Sequence, residues 1–311
     1  MKCTPDFGTK SVIVYNQAQT AKLLDWHSLV DALKIASREL ISGEILSPER
    51  MVVPLPNNGV LLSMPAVAAD IATHKLVNVQ PANKRNGLPT IHGQVSVFNA
   101  QSGEPRFILD GPEVTGRRTA AVSMLALETF MNRTPESILI IGAGTQAAYH
   151  IKAINALYPD AKVWVCGIDY DETSIFCEAN KTTHHNLEAC AANKMPDTSS
   201  VITLTTSNVA VYNERARTGK LIIGVGAFTP QMCEIGKITL AGSDLYADDP
   251  VGARHEAGDY IQADVVWEKV RSLASALDVP PVLDRPVVFK SVGTGAWDLA
   301  ACRVANAALG F

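Results

Sequence analysis

No run of apolar residues in the chain approaches the roughly 18 needed to cross a membrane, so a spanning helix is not expected. The apolar stretch that follows Lys2 and Lys10, residues Ser11 to Tyr15, is too short for the core of a signal peptide. Positive charge is not in excess either: 27 Lys and Arg face 31 Asp and Glu, a formal net charge of −4. Nothing therefore drives sequence-independent binding to phosphate backbones, and no nucleic-acid partner is expected. The six cysteines stand at 3, 166, 177, 190, 233 and 302, with no Cys-x-x-Cys pair. That spacing frames neither a disulfide scaffold nor a zinc site. They read as free thiols of a reducing compartment, and a soluble cytoplasmic protein without metal is expected. Internal repeats of 20 to 50 residues and low-complexity tracts are also missing. Charged residues make up only 19% against 47% hydrophobic, which calls for a large core or a buried oligomer interface. At about 150 residues per domain, 311 residues suggest two domains.

Along the chain the hydrophobic period changes twice. Residues 19 to 42 carry Leu23, Leu24, Leu29, Leu33, Ile35, Ala36 and Leu40 at near-helical spacing and stop at Gly43, which predicts one amphipathic helix. From Arg50 to Asp110, short β-rich runs are separated by turn signals at Pro56–Gly59, Asn86-Gly87 and Ser102-Gly103. These predict an antiparallel or mixed sheet with hairpins. A helix is predicted over Thr115 to Phe130, closed by a loop from Asn132 to Pro135. Beyond it, strands at 138–141, 162–169, 200–206 and 220–228 alternate with helical or loop segments, the signature of a parallel sheet with right-handed crossovers. The chain ends in an Ala- and Leu-rich helix.

The apolar run Ile138–Ile141 enters Gly142-Ala143-Gly144-Thr145-Gln146-Ala147, a G-x-G-x-x-A turn between a strand and a helix. Two glycines let the backbone turn sharply and approach a pyrophosphate seated on the helix N-terminus, so the pattern predicts dinucleotide binding. Where an acidic residue would select NAD at the end of the second strand, Gly167 stands instead, leaving room for a 2′-phosphate. Asp169 argues the other way if the loop folds it back, and this turn holds no arginine. NADPH is the expected cofactor, with NADH also usable.

Arg50, Lys75, Arg117 and Arg118 sit in stretches that otherwise read as buried. A cation among apolar residues must be paired or must face a polar cavity, so the group suggests a pocket for an anion. Arginine adds planar bidentate bonding to carboxylates and lysine a point charge. His92, at the start of a strand, can exchange a proton near neutrality. His74, one residue from Lys75, points to the opposite face if the segment is a strand, and reads as structural.

On these residues the chain resembles the ornithine cyclodeaminase and μ-crystallin family. The matching stretches are Arg50–Pro54, Lys75–Val77, Thr115–Ala121, Gly142–Gln146, Val225–Pro230 and Val288–Gly293, in the family's order. The resemblance implies an α/β protein: a mixed α+β substrate-binding and dimerisation domain over 1–118, completed by 297–311, and a Rossmann domain over 119–296. It implies a homodimer, a substrate carboxylate held by Arg50, Lys75 and Arg118, and cofactor contacts from Gly142, Ala143, Gly144, Thr145, Gln146, Gly167, Thr205, Val225, Lys290 and Ser291. Cyclodeaminases of the family carry an aspartate in the loop after the fourth Rossmann strand; Phe228 stands there in this chain. A phenyl ring can pack against a ring substrate and exclude water, but it is neither acid nor base. His92 falls where cyclodeaminases have a small hydroxyl residue, returning a titratable group to a site that has lost one.

The implied activity is reduction of cyclic ketimine acids, Δ1-pyrroline-2-carboxylate to L-proline and Δ1-piperideine-2-carboxylate to L-pipecolate, with His92 and Lys75 as catalytic residues and Phe228 beside the substrate. Competing expectations are an ornithine cyclodeaminase, an alanine dehydrogenase or opine-type oxidoreductase, and a non-enzymatic NADPH-dependent binding protein.

Overall fold

The computed structural model describes residues 11–131, 133–279, 281 and 285–311, and only the backbone of Lys84. Lys2, Cys3, Lys10 and Asn132 lie outside the described residues. Two sheets organise the chain.

The first is built from β1 (Ile13–Val14), β2 (Met51–Leu55), β3 (Gly59–Val67), β4 (Ile71–Val79), β5 (Ile91–Asn99) and β6 (Pro105–Asp110), in the order β1-β6-β5-β4-β3-β2. From β2 to β6 it is an antiparallel meander, as the turn signals predict, while β1 joins β6 in parallel. The turns fall where left-handed backbone is affordable: Asn57, Asn58, Gly87 and Gly103 all have positive φ. The single helix expected over 19–42 is two, α1 (Gln17–Leu23) and α2 (Trp26–Ser42). Asp25 separates them, because its carboxylate caps the second helix by accepting from Ser28 N at 3.0 Å. The next helix, α3 (Gly111–Phe130), starts four residues before the expected Thr115, since Asp110 caps it through Glu113 N at 2.8 Å.

The second sheet comprises β7 (Ser137–Ile141), β8 (Lys162–Cys166), β9 (Leu187–Cys190), β10 (Ser200–Thr203), β11 (Leu221–Gly224), β12 (Asp244–Ala247), β13 (Arg271–Ser272) and β14 (Val287–Lys290). Its order is β13-β12-β14-β11-β10-β7-β8-β9, and every pairing is parallel. It is the doubly wound dinucleotide fold, reversing direction between β7 and β10. Four strands read from sequence become eight. The four-residue β9 lies in what reads as loop, so the loop bearing Phe228 follows the fifth strand in chain order, not the fourth. The central strands β10, β11 and β14 are buried throughout, which is why they are continuous apolar runs rather than alternating ones.

Helix α3 passes from the first sheet to the second, so the boundary expected at 118/119 falls within one continuous helix. On its way it packs on α4 (Thr145–Leu157) and on β5. The remaining helices are α5 (Tyr170–Asn180), α6 (Lys237–Ala241), α7 (Pro250–Glu256), α8 (Gly258–Ala263), α9 (Leu273–Asp278) and α10 (Gly295–Ala308). Helix α10 returns to the first sheet, covering β3 and β4 beside α2 and α3. Strand alternation then gives β4 two faces. Thr73, Lys75 and Val77 are buried beneath the helices, and His74, Leu76 and Asn78 lie on the other face, with no helix over them among the described residues.

Candidate active site

The glycine turn lies at the carboxyl end of β7, beside the point where the sheet order reverses. Gly142 has φ +120°, and a Cβ there would stand 2.7 Å from the carbonyl oxygen of Leu204. Only glycine fits this approach of the β7 and β10 exit loops. Gly144 is different. A Cβ built on it meets nothing within 4 Å, so the fold itself does not require a glycine there, and the open space suits a pyrophosphate. Gly144 also precedes α4 without a side-chain cap, which leaves first-turn N–H groups for an anion. Gly167 follows β8 next to Ala143, and Thr205 and Val225 lie at the start of the exit loops of β10 and β11. The residues present therefore fit a dinucleotide. Asp169 does not fold back into the crevice; its carboxylate caps α5 by accepting from Glu172 N at 2.8 Å.

A cationic pocket adjoins this crevice. The Lys75 ammonium, on a residue 2% exposed, stands 2.7 Å from Asp298 Oδ2 on α10. Arg118 Nε, from α3, donates to the other oxygen of the same carboxylate at 3.2 Å. Burial pushes the Lys75 ammonium down to about 8, against the pull of Asp298, with the charge of Arg118 adding to the fall. From the segment before β2, Arg50 Nη2 meets Glu256 Oε2 at 2.6 Å and the carbonyls of Val292 and Gly293 at 3.1 and 2.7 Å. Burial raises the Glu256 carboxyl to about 7, although Arg50 opposes the rise. Among the described residues no hydrogen bond uses Nε or Nη1 of Arg50, nor either terminal nitrogen of Arg118. The Nη1/Nη2 edge of Arg118 and separate donors at Nε and Nη1 of Arg50 are thus left for an anion.

The exit loop of β14 ties pocket to crevice. Ser291 N donates to Gly224 O at 2.9 Å, one residue before Val225. Asp248 holds this loop, accepting from Ser291 Oγ at 2.7 Å, Val292 N at 3.0 Å, Gly293 N at 3.1 Å and Trp297 Nε1 at 3.0 Å. Gly293, at φ +77°, brings the backbone so close to Arg118 that a Cβ would stand 2.7 Å from Nη1.

Four residues singled out from sequence lie elsewhere or are already engaged. Lys290 is fully buried, its Nζ 2.7 Å from Asp259 Oδ2, so it cannot reach a cofactor in the crevice. Ser291 spends its hydroxyl on Asp248. Arg117 lies a quarter-turn from Arg118 on α3 and points the other way, onto Glu113 at 2.7 Å, Leu24 O at 2.9 Å and the Trp26 ring. His92 pairs in register with Asn78, and both occupy the sheet face opposite Lys75. The imidazole is exposed there, parted from the Lys75 cluster by the sheet. The parity of β5 decides this: Ile91, Gly93 and Val95 share the Lys75 face, and His92 does not. Phe228 stands in the exit loop of β11, 39% exposed, at the carboxyl end that carries the crevice.

The carboxylates of the site escaped the sequence reading. Asp298 had a visible signal, as the one charge in the apolar run Gly295–Cys302. Asp248 and Glu256 had none, since neither stands out from the polar residues around it. Nor did Glu234, which accepts from Thr205 N at 2.5 Å, Gly226 N at 2.6 Å and Ala227 N at 3.0 Å and so fastens the exit loops of β10 and β11.

The model of the ornithine cyclodeaminase/mu-crystallin family matches residues 10–306. The chain belongs to this family. It is 50% identical over 296 residues to Delta(1)-pyrroline-2-carboxylate reductase 2 of Burkholderia ambifaria, covering 95% of each chain. It is also 50% identical to the Delta(1)-pyrroline-2-carboxylate/Delta(1)-piperideine-2-carboxylate reductase of Azospirillum brasilense, covering 95% of this chain and 96% of that one. Among solved structures, the Thermococcus litoralis Delta(1)-pyrroline-2-carboxylate reductase in complex with NADH and L-proline superposes with a TM-score of 0.86 at 22% identity, over 96% of this chain and 97% of that one. The family fold is therefore the fold of this chain.

Proposed function

We propose that the chain reduces cyclic ketimine acids with NAD(P)H, converting Δ1-pyrroline-2-carboxylate to L-proline and Δ1-piperideine-2-carboxylate to L-pipecolate. The observation that carries this is the unspent guanidinium donors of Arg118 and Arg50, set with Lys75 against the carboxyl end of the dinucleotide sheet. Arg50 and Arg118 bind the substrate carboxylate, and Lys75 adds charge and orientation. When bound, the reduced nicotinamide supplies the hydride that C2 of the ring accepts. The ring nitrogen must carry a proton for C2 to accept it, and Lys75 is the donor in this reading. Its ammonium is protonated at neutral pH yet depressed to about 8, nearer the working range of an acid catalyst than a free lysine. Asp298 holds that ammonium at 2.7 Å. His92, on the far side of the sheet, is not used. Phe228 offers no carboxylate for activating water or an amine, which supports reduction over cyclodeamination.

NADPH is the preferred donor and NADH a usable one: Gly167 has no side chain to meet a 2′-phosphate, and Asp169 is occupied at its own helix. The protein works as a homodimer formed through the first sheet, whose helix-free face bears Val14 and Met51, 64% and 62% exposed. A spectrophotometric panel tests the activity. NADPH should be consumed with pyrroline-2-carboxylate and piperideine-2-carboxylate, and not with pyruvate plus methylamine or ammonia. Ammonia release from L-ornithine, or no consumption with either cyclic imine, would overturn the reading.

A further inference from the structure

Nη2 of Arg50 faces three acceptors, and they come from one side. Glu256 Oε2 stands at 2.6 Å, with the carbonyls of Val292 and Gly293 at 3.1 and 2.7 Å. All three belong to the dinucleotide half of the chain, whereas Arg50 enters from the edge of the first sheet. The two carbonyls are fixed because Asp248 binds the N–H groups of Val292 and Gly293. Glu256 ends α7, which starts directly after Asp248 and Asp249. Segment 248–256 thus supplies both the brace of the carbonyls and the only carboxylate on Arg50 among the described residues. A guanidinium is planar, so fixing Nη2 on one side fixes where the N–H groups of Nη1 point.

We infer that Glu256 is a positioning residue for substrate recognition, holding Arg50 so that its free Nη1 donor meets the carboxylate of the substrate. This rests on the proposed reading, in which Arg50 is part of the carboxylate clamp. Glu256 touches no reacting atom in it.

Pyrrole-2-carboxylate, a planar ring acid that cannot be reduced by hydride at this site, serves as the probe. It is titrated calorimetrically into the full-length protein saturated with NADP+. Glu256→Gln should weaken the anion about tenfold or more while changing NADP+ affinity less than twofold. In turnover it should raise KM for the imine acid by a similar factor with a smaller change in kcat. Because Glu256 acts through Arg50, Glu256→Gln should add nothing to the loss caused by Arg50→Met. If Glu256→Gln does not fold, Glu256→Asp, with a shorter carboxylate, should show the same split in milder form. Unchanged anion affinity, an equal loss of NADP+ affinity, or losses that add to those of Arg50→Met would overturn the inference. The titration requires no turnover, so it stands apart from the activity panel. A wild-type protein that does not bind the anion would overturn both.

Discussion

Two buried ion clusters, one in each half of the molecule, look alike in composition and differ in what they leave free. Around Lys290 the charged groups pair with one another and with the backbone inside the protein. The lysine stands 2.7 Å from Asp259, Asp259 accepts from Glu234 N and Ile235 N at 2.5 and 2.8 Å, and Glu234 fastens the loops at Thr205 and Gly226. Around Asp298 the carboxylate engages Lys75 and Arg118, yet Arg118 keeps its terminal nitrogens and Arg50 keeps Nε and Nη1. The first cluster shapes loops; the second is equipped to hold a ligand. Buried charge alone therefore does not mark a site. What marks it is donor capacity that the fold does not use up.

The largest effect should come from the closed cluster. Lys290→Met leaves Asp259 as an uncompensated buried charge, which costs on the order of 3–5 kcal/mol. Guanidinium unfolding should show the loss directly, and a variant of wild-type stability would mean that the two clusters do not differ as described. Arg118→Met, in the open cluster, should instead lower kcat/KM for the imine acid by roughly 10² to 10³, the factor expected on truncating one charged partner of an anion. NADPH affinity, read by fluorescence titration, should stay near wild type.

In the dinucleotide crevice, Gly144→Val should weaken NADPH at least about tenfold by filling pyrophosphate space. Its melting temperature should not move, since a Cβ there meets nothing within 4 Å. The open cluster also predicts a pH dependence. With the Lys75 ammonium depressed to about 8, kcat/KM should fall as pH rises past that value. A lysine with no part in the chemistry would give no such limb. Stability should move the other way: between about 8 and the ordinary 10.5 the unfolded chain binds the Lys75 proton and the folded one does not, so this group favours folding increasingly as pH rises through that window. The smallest effect belongs to His92→Ala, which should leave kcat within about twofold because the imidazole lies across the sheet from Lys75. A loss of 10² or more would return the proton to His92, through the partner subunit or a rearranged strand.

The sequence alone determined the doubly wound half, because a strand, a glycine turn and a helix in that order have few other solutions. It also marked Arg50, Lys75 and Arg118, because cations in apolar runs demand partners. The four-residue β9 was too short to carry a period that local reading could detect. Which cations remain open was decided only by tertiary structure. Lys290 and Lys75 both lie in apolar strands, and their fates differ because Asp259 and Asp298 approach from distant segments with different demands already on their oxygens. His92 shows the same limit at the scale of one residue. Its type suits proton transfer, but a strand presents alternate residues to opposite faces, and only the pairing of β5 with β4 settles which face is which.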